Sequence, residues 1–209
     1  MIKENIFIMV SGPAACGKST LVNGLSGKMP VHIYPPSRSF IELAKKRNIS
    51  IDRAFHDIKR EDAENHFCNV CKKYKTVVGD QHLAIQHYKD SVIASGNPTM
   101  IFPEEPYVSA IDYDLFDKLT ENQIHTLLIY LKASPEILYE RAYSRYAEHG
   151  TYIRNQTIDE VRKEVKAEEY YFNELINKVN IDNCVIDTDY KESNEVLENA
   201  IQRTLRFRG

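Results

Sequence analysis

Ile6-Phe7-Ile8-Met9-Val10-Ser11-Gly12-Pro13-Ala14-Ala15-Cys16-Gly17-Lys18-Ser19-Thr20 is the stretch that decides the fold. Ile6 to Val10 is an unbroken apolar run, the pattern of a strand buried on both faces of a parallel sheet. Gly12 to Ser19 then fit G-x-x-x-x-G-K-[ST], and Ser19-Thr20-Leu21-Val22 opens a helix. The motif therefore stands in its required setting, between a strand and a helix. Its glycines let backbone N–H groups of Gly12, Ala14, Ala15, Cys16 and Gly17 turn inward toward phosphate oxygens. The helix N-terminus adds the positive end of its dipole. Lys18 reaches β- and γ-phosphates, Ser19 ligates magnesium, and Thr20 is placed to contact an α- or β-phosphate. ATP is the expected ligand and magnesium the expected ion.

Outward from this loop, strand and helix patterns alternate. Helix one is expected to end at Gly24 and Gly27. A short strand follows over Val31–Tyr34, stopped by Pro35-Pro36, and then a helix over Phe40–Arg47. A longer helix is predicted from Arg53 to Lys73. Thr76–Gly79 is a β-branched strand that delivers Asp80, with a helix expected over Gln81–Ala94 and a strand over Thr99–Phe102. Leu127–Leu131 has the strongest strand pattern of the chain. Ser134-Pro135-Glu136 starts the next helix with a cap residue and Pro at its first position. Thr157–Asn177 reads as a charged helix, Cys184–Ile186 as a last strand and Ser193–Phe207 as a last helix. Such alternation implies βαβ units. The expectation is one α/β domain over residues 1–209: a three-layer, doubly wound parallel sheet of about five strands, with a helical lid segment near residues 141–157.

The bulk numbers agree with this class. At 209 residues, with 43% hydrophobic and 27% charged residues, the chain has the composition of a soluble globular domain. A net charge of −3 argues against general nucleic-acid binding, which calls for a basic excess. The N-terminal apolar run is too short for a signal peptide, and no stretch reaches the roughly 20 apolar residues that span a bilayer. Cys16, Cys68, Cys71 and Cys184 form no disulfide framework, so the cytoplasm is the expected compartment. Cys68-x-x-Cys71 with His66 upstream supplies at most half of a structural zinc site, which needs four ligands.

No Asn/Thr-Lys-x-Asp base-reading string occurs, which argues against a GTPase. Leu127–Tyr146, LLIYLKASPEILYERAYSRY, resembles the strand and helix that lead into the lid of thymidylate kinases and deoxynucleoside kinases. So does the closing segment Cys184–Ile201, whose loop Asp187–Tyr190 would pack near adenine. The resemblance implies transfer of the ATP γ-phosphoryl to a nucleoside, a nucleoside monophosphate or a similar small acceptor, often by a homodimer. It implies that Lys18, Asp80, Arg141 and Arg145 act in catalysis and that Arg154 joins the lid. Arginine suits a lid because its planar, permanently charged fork binds phosphate bidentately. Arg38, after the second strand, matches an acceptor-binding position. Surface roles for Arg38, and for Arg141 and Arg145 beside Glu140, remain as alternatives.

Asp80 is the acid expected to order magnesium or accept the acceptor's proton. In the family that acid precedes an arginine; here Gln81 follows. Glu104-Glu105 is the rival site for the acid. An ATP-binding regulator without small-molecule kinase activity and a polynucleotide 5′-kinase are the competing functional readings.

Overall fold

Alternate residues of the first strand, β1 (Asn5–Ser11), feed two separate cores. Phe7 and Met9 join one, while Ile6, Ile8 and Val10 join the other. All five are at most 1% exposed. Each such apolar side chain contributes about 1.5–3 kcal/mol relative to exposure, so this strand anchors both layers. The computed structural model describes residues 4–86, 107–110, 113–149 and 157–209.

The further elements are α1 (Lys18–Lys28), β2 (His32–Ile33), α2 (Arg38–Lys46), α3 (Ala54–Asp57), α4 (Arg60–Tyr74), β3 (Thr76–Asp80), β4 (Ala84–Gln86) and β5 (Tyr107–Ser109). Then follow α5 (Tyr113–Glu121), β6 (Ile124–Lys132), α6 (Pro135–His149), α7 (Ile158–Lys178), β7 (Asp182–Asp187) and α8 (Ser193–Arg208). Five strands pair in the order β2-β3-β1-β6-β7, and every pairing is parallel. Helices α4, α5 and the later turns of α7 supply one apolar layer, and α1, α6, α8 and Val161 and Val165 of α7 supply the other. This is the three-layer, doubly wound architecture expected from the sequence. The glycine loop follows central β1, between β3 and β6, where a parallel sheet opens its ligand crevice.

Two predicted helices change their bounds before β3. Helix α1 does not stop at Gly24 or Gly27 but continues to Lys28. A Cβ on Gly24 would lie 3.0 Å from a Leu197 methyl, so this glycine admits α8 closely instead of ending a helix. The long helix predicted over Arg53–Lys73 is broken. A 3-10 turn over Ile51–Arg53 and short α3 precede α4. Ile58 turns extended to bury itself with Leu43, Ala44, Ala54 and Ala63.

The helix predicted over Gln81–Ala94 is contradicted at its start. Residues Ala84–Gln86 form β4, antiparallel to β5. Leu83 O accepts from Ala110 N at 2.8 Å, so the partner strand claims the backbone that a helix would use. Helix α5 and strand β5 carry no counterpart in the sequence reading. Thr99–Phe102 lies outside the described residues. Other boundaries move by a few residues: β2 is shorter than Val31–Tyr34, and β6 is longer than Leu127–Leu131. No helix among the described residues is long and apolar enough to cross a membrane.

Candidate active site

The glycine loop owes its shape to three left-handed residues, Gly12 (φ 138°), Ala15 (φ 62°) and Gly17 (φ 98°). At Gly12 a side chain would overlap the Leu131 carbonyl of β6, so the loop lies directly on the sheet. Lys18, only 8% exposed, folds its ammonium back over the loop and donates to Gly12 O and Pro13 O, both at 2.7 Å. The charge is thereby held in the loop's concave side. Cys16 is buried beneath it, and burial pushes its thiol pKa up against the opposing pull of Lys18.

Ser19 and Asp80 meet across 61 residues of sequence. The Ser19 hydroxyl donates to Asp80 Oδ2 at 2.8 Å. The parallel register sets this up, because Val10 pairs with Asp80 and both strands end at the same level. Two hard oxygen donors side by side at the head of a phosphate loop suit magnesium, which takes few protein ligands and keeps several waters.

A cavity of about 200 Å³ lies on the outer side of the loop. Ala15, Gly17 and Thr20 line it from the loop, and Arg141, Thr188 and Val196 from the other side. The Arg141 guanidinium donates to Thr188 Oγ1 at 3.1 Å and to Thr188 O at 2.5 Å. Thr188 is itself fixed to the end of β6, its N–H donating to Lys132 O at 2.8 Å. Asp189 Oδ1 accepts from Ser134 N at 2.9 Å, which ties the start of α6 to the same loop.

Arg38 begins α2, pairs with Glu42 at 2.9 Å and sits 5.2 Å from the Tyr34 ring centroid. Glu42 also meets His66 Nε2 at 3.3 Å. Burial pushes the Tyr34 phenol up to about 12. Gly79 brings the ends of β2 and β3 together, since a Cβ there would lie 2.7 Å from Pro35 Cα.

Of the sequence-predicted residues, the structure thus brings Lys18, Ser19 and Asp80 together at one end of the sheet. Arg141 lies at the cavity beside the loop. Arg145 belongs to α6, but its side chain, together with Arg154, Glu104 and Glu105, lies outside the described residues. Cys68 and Cys71 are buried in the core beside Phe7 and Phe67, and burial raises the pKa of both thiols.

The sequence reading missed α7's contribution. Its buried stripe is Val161, Glu164, Val165, Ala167, Glu168, Tyr171, Phe172 and Leu175. Glu164 accepts from Ala14 N at 2.8 Å, and Glu168 accepts from Leu83 N at 3.0 Å and meets His82 Nδ1 at 3.0 Å. A signal existed: both carboxylates occupy positions that the helical period reserves for apolar residues. A capping box of Thr157 and Glu160 starts this helix.

A deoxynucleoside kinase family model matches residues 8–205. No curated protein sequence matches the chain. Among solved structures, it is similar to shikimate kinase from Acinetobacter baumannii at 14% identity, covering 99% of this chain and 96% of that one, with a TM-score of 0.53. The YorR protein from Bacillus subtilis, solved with phosphorylated GDP, is similar at 19% identity, 95% coverage of both chains and a TM-score of 0.53. Deoxyadenosine kinase from M. mycoides, solved with its products, is similar at 13% identity over 96% of this chain and 99% of that one, with a TM-score of 0.50. These identities speak to the fold; the family match speaks to the chemistry. With its phosphate loop set on the parallel sheet, the chain belongs to the deoxynucleoside kinase family and is a kinase.

Proposed function

We propose that the chain transfers the γ-phosphoryl of ATP, with magnesium, to a nucleoside, a nucleoside monophosphate or a similar small acceptor. The observation that carries this reading is the 2.8 Å bond between Ser19 and Asp80 beside the Lys18 ammonium. Phosphoryl transfer asks a protein mainly for positioning and charge, and these three groups supply both at one place. The amides of Ala15, Cys16 and Gly17 and the Lys18 ammonium bind the triphosphate. Ser19 and Asp80 would hold magnesium, which when bound offsets charge on the β- and γ-oxygens. Asp80 is also positioned to accept the acceptor's proton.

Arg141 reaches the nucleotide from the cavity side, and Arg145 and Arg154 close the lid over it as water is excluded. Arg38 and its neighbours Tyr34 and Glu42 face the acceptor. A homodimer, a single domain over residues 1–209 and a cytoplasmic site belong to the same proposal; all four cysteines are free thiols.

The test is acceptor-stimulated ADP formation across nucleosides and nucleoside monophosphates, for the native chain and Lys18→Ala. Native turnover that disappears in the variant, with an unchanged circular dichroism spectrum, is the expected result. ADP formation that no acceptor stimulates would instead favour an ATP-binding regulator. Labelled phosphate appearing on a 5′-hydroxyl oligonucleotide would favour a polynucleotide kinase.

A further inference from the structure

We propose that His82, oriented by the buried carboxylate of Glu168, contacts a hydroxyl of the acceptor. The inference rests on the reading above that the acceptor lies at the Asp80 end of β3. It assigns residues that neither the phosphate loop nor the lid includes.

Gln81 follows Asp80, yet its polar groups are engaged elsewhere. Its N–H donates to Val10 O at 3.0 Å, and its carbonyl accepts from the Ser11 hydroxyl at 2.6 Å. Its side-chain amide donates to Ala110 O at 3.1 Å. Gln81 therefore serves as a brace between β1, β3 and the segment after β5.

His82 is held differently. Its Nδ1 lies 3.0 Å from Glu168 Oε1, while its side chain remains 41% exposed. Glu168 is fully buried, and its second oxygen takes the Leu83 N–H at 3.0 Å. Leu83 in turn is buried and fixed by Ala110, so the backbone beside the ring cannot easily shift. One ring nitrogen is thus held by a buried, doubly bonded carboxylate, and the other has no hydrogen-bond partner among the described residues. A carboxylate behind a histidine fixes ring orientation in the same way at other sites.

A hydroxyl is the chemistry that fits this nitrogen. It both donates and accepts, so it pairs with Nε2 whichever nitrogen carries the hydrogen. The competing explanation is that His82 merely satisfies a buried glutamate. That role would affect folding and leave acceptor affinity alone.

The experiment measures deoxynucleoside binding by calorimetry and phosphorylation by ADP release for native protein, His82→Ala, His82→Asn and Glu168→Gln. The dissociation constant of a fluorescent ATP analogue and the melting temperature are read alongside. Loss of one well-placed hydrogen bond predicts about a tenfold or greater fall in acceptor affinity for His82→Ala, with ATP-analogue binding within about twofold of native. His82→Asn, which keeps a donor and an acceptor, recovers part of the loss. If His82→Ala fails to fold, the double variant His82→Phe with Glu168→Gln keeps a ring and removes the carboxylate charge left without its partner. Native-like acceptor affinity in whichever variant folds overturns the inference, as does an equal loss of ATP-analogue binding. Native protein that binds deoxynucleosides without phosphorylating them defeats the kinase reading while calorimetry still decides this one. Native protein that binds none of them overturns this inference, and ADP release with nucleoside monophosphates then decides the kinase reading by itself.

Discussion

Glu164, 4% exposed on α7, accepts a 2.8 Å hydrogen bond from the backbone N–H of Ala14 in the phosphate loop. A carboxylate at a phosphate-binding loop shapes the backbone but also opposes a triphosphate by charge. Glu164→Gln keeps an acceptor for the amide and removes the charge. We expect its KM for ATP to fall by about 3- to 10-fold, the effect of one nearby charge at intermediate dielectric. Steady-state kinetics at varied ATP check this, and a raised KM would show that the charge itself is needed.

Arg141 and Thr188 form the cavity wall by two hydrogen bonds, so the arginine is fixed before any ligand is considered. Arg141→Ala should raise the KM for ATP by about tenfold, as expected when a charge-assisted contact is lost. Thr188→Val removes the hydroxyl, which accepts from Arg141 and donates to Lys132 O at 3.2 Å, leaves the Arg141 bond to the Thr188 carbonyl in place, and should have a smaller effect of the same sign. Equal effects of the two changes would place Arg141's contribution in its bond to Thr188 alone.

Gly79 gives a stability prediction independent of ligand. Its Cβ would press on Pro35 Cα at 2.7 Å and on Tyr34 O at 3.0 Å, both backbone atoms that cannot rotate aside. Gly79→Ala should therefore cost about 1–3 kcal/mol, the usual range for overpacking. At roughly 2–4 °C per kcal/mol for a chain of this size, calorimetry would record a clear drop in Tm. An unchanged Tm would mean that β2 and β3 separate freely at their ends.

Burial raises the Glu168 carboxyl above its ordinary value of 4.5, against the opposing pull of His82 and Lys18. The folded chain then binds this proton more tightly than the unfolded chain. Its contribution is fully present below the unfolded pKa and is lost as pH rises through the folded one. Stability linked to this group should decline as pH increases from about 4.5 upward. Glu168→Gln removes the titration, so its Tm should fall less steeply over that window. Parallel pH profiles for the two proteins would contradict the assignment.

Sequence alone settled the phosphate loop, because its geometry is local. Gly12, Gly17 and Lys18 act through backbone conformation and a neighbouring side chain, within one strand–loop–helix unit. The parallel sheet was legible for the same reason: Ile6–Val10 and Leu127–Leu131 are continuous apolar runs that only a doubly covered strand accounts for. The deoxynucleoside kinase family was legible in the segments Leu127–Tyr146 and Cys184–Ile201.

What tertiary structure decided was every relationship across elements. Nothing in the local pattern of Ala84–Gln86 could announce pairing with a strand more than 20 residues away, and that pairing overrode the helix expected there. Gly24 reads as a helix stop until Leu197 of α8 is seen beside it. Glu164 and Glu168 read as surface charge on a charged helix until the sheet brings Ala14 and His82 beneath them. Burying a carboxylate is costly unless partners are supplied, and such partners are chosen by packing between distant segments. Sequence therefore determined the glycine loop between β1 and α1, while tertiary packing decided which side chains surround it.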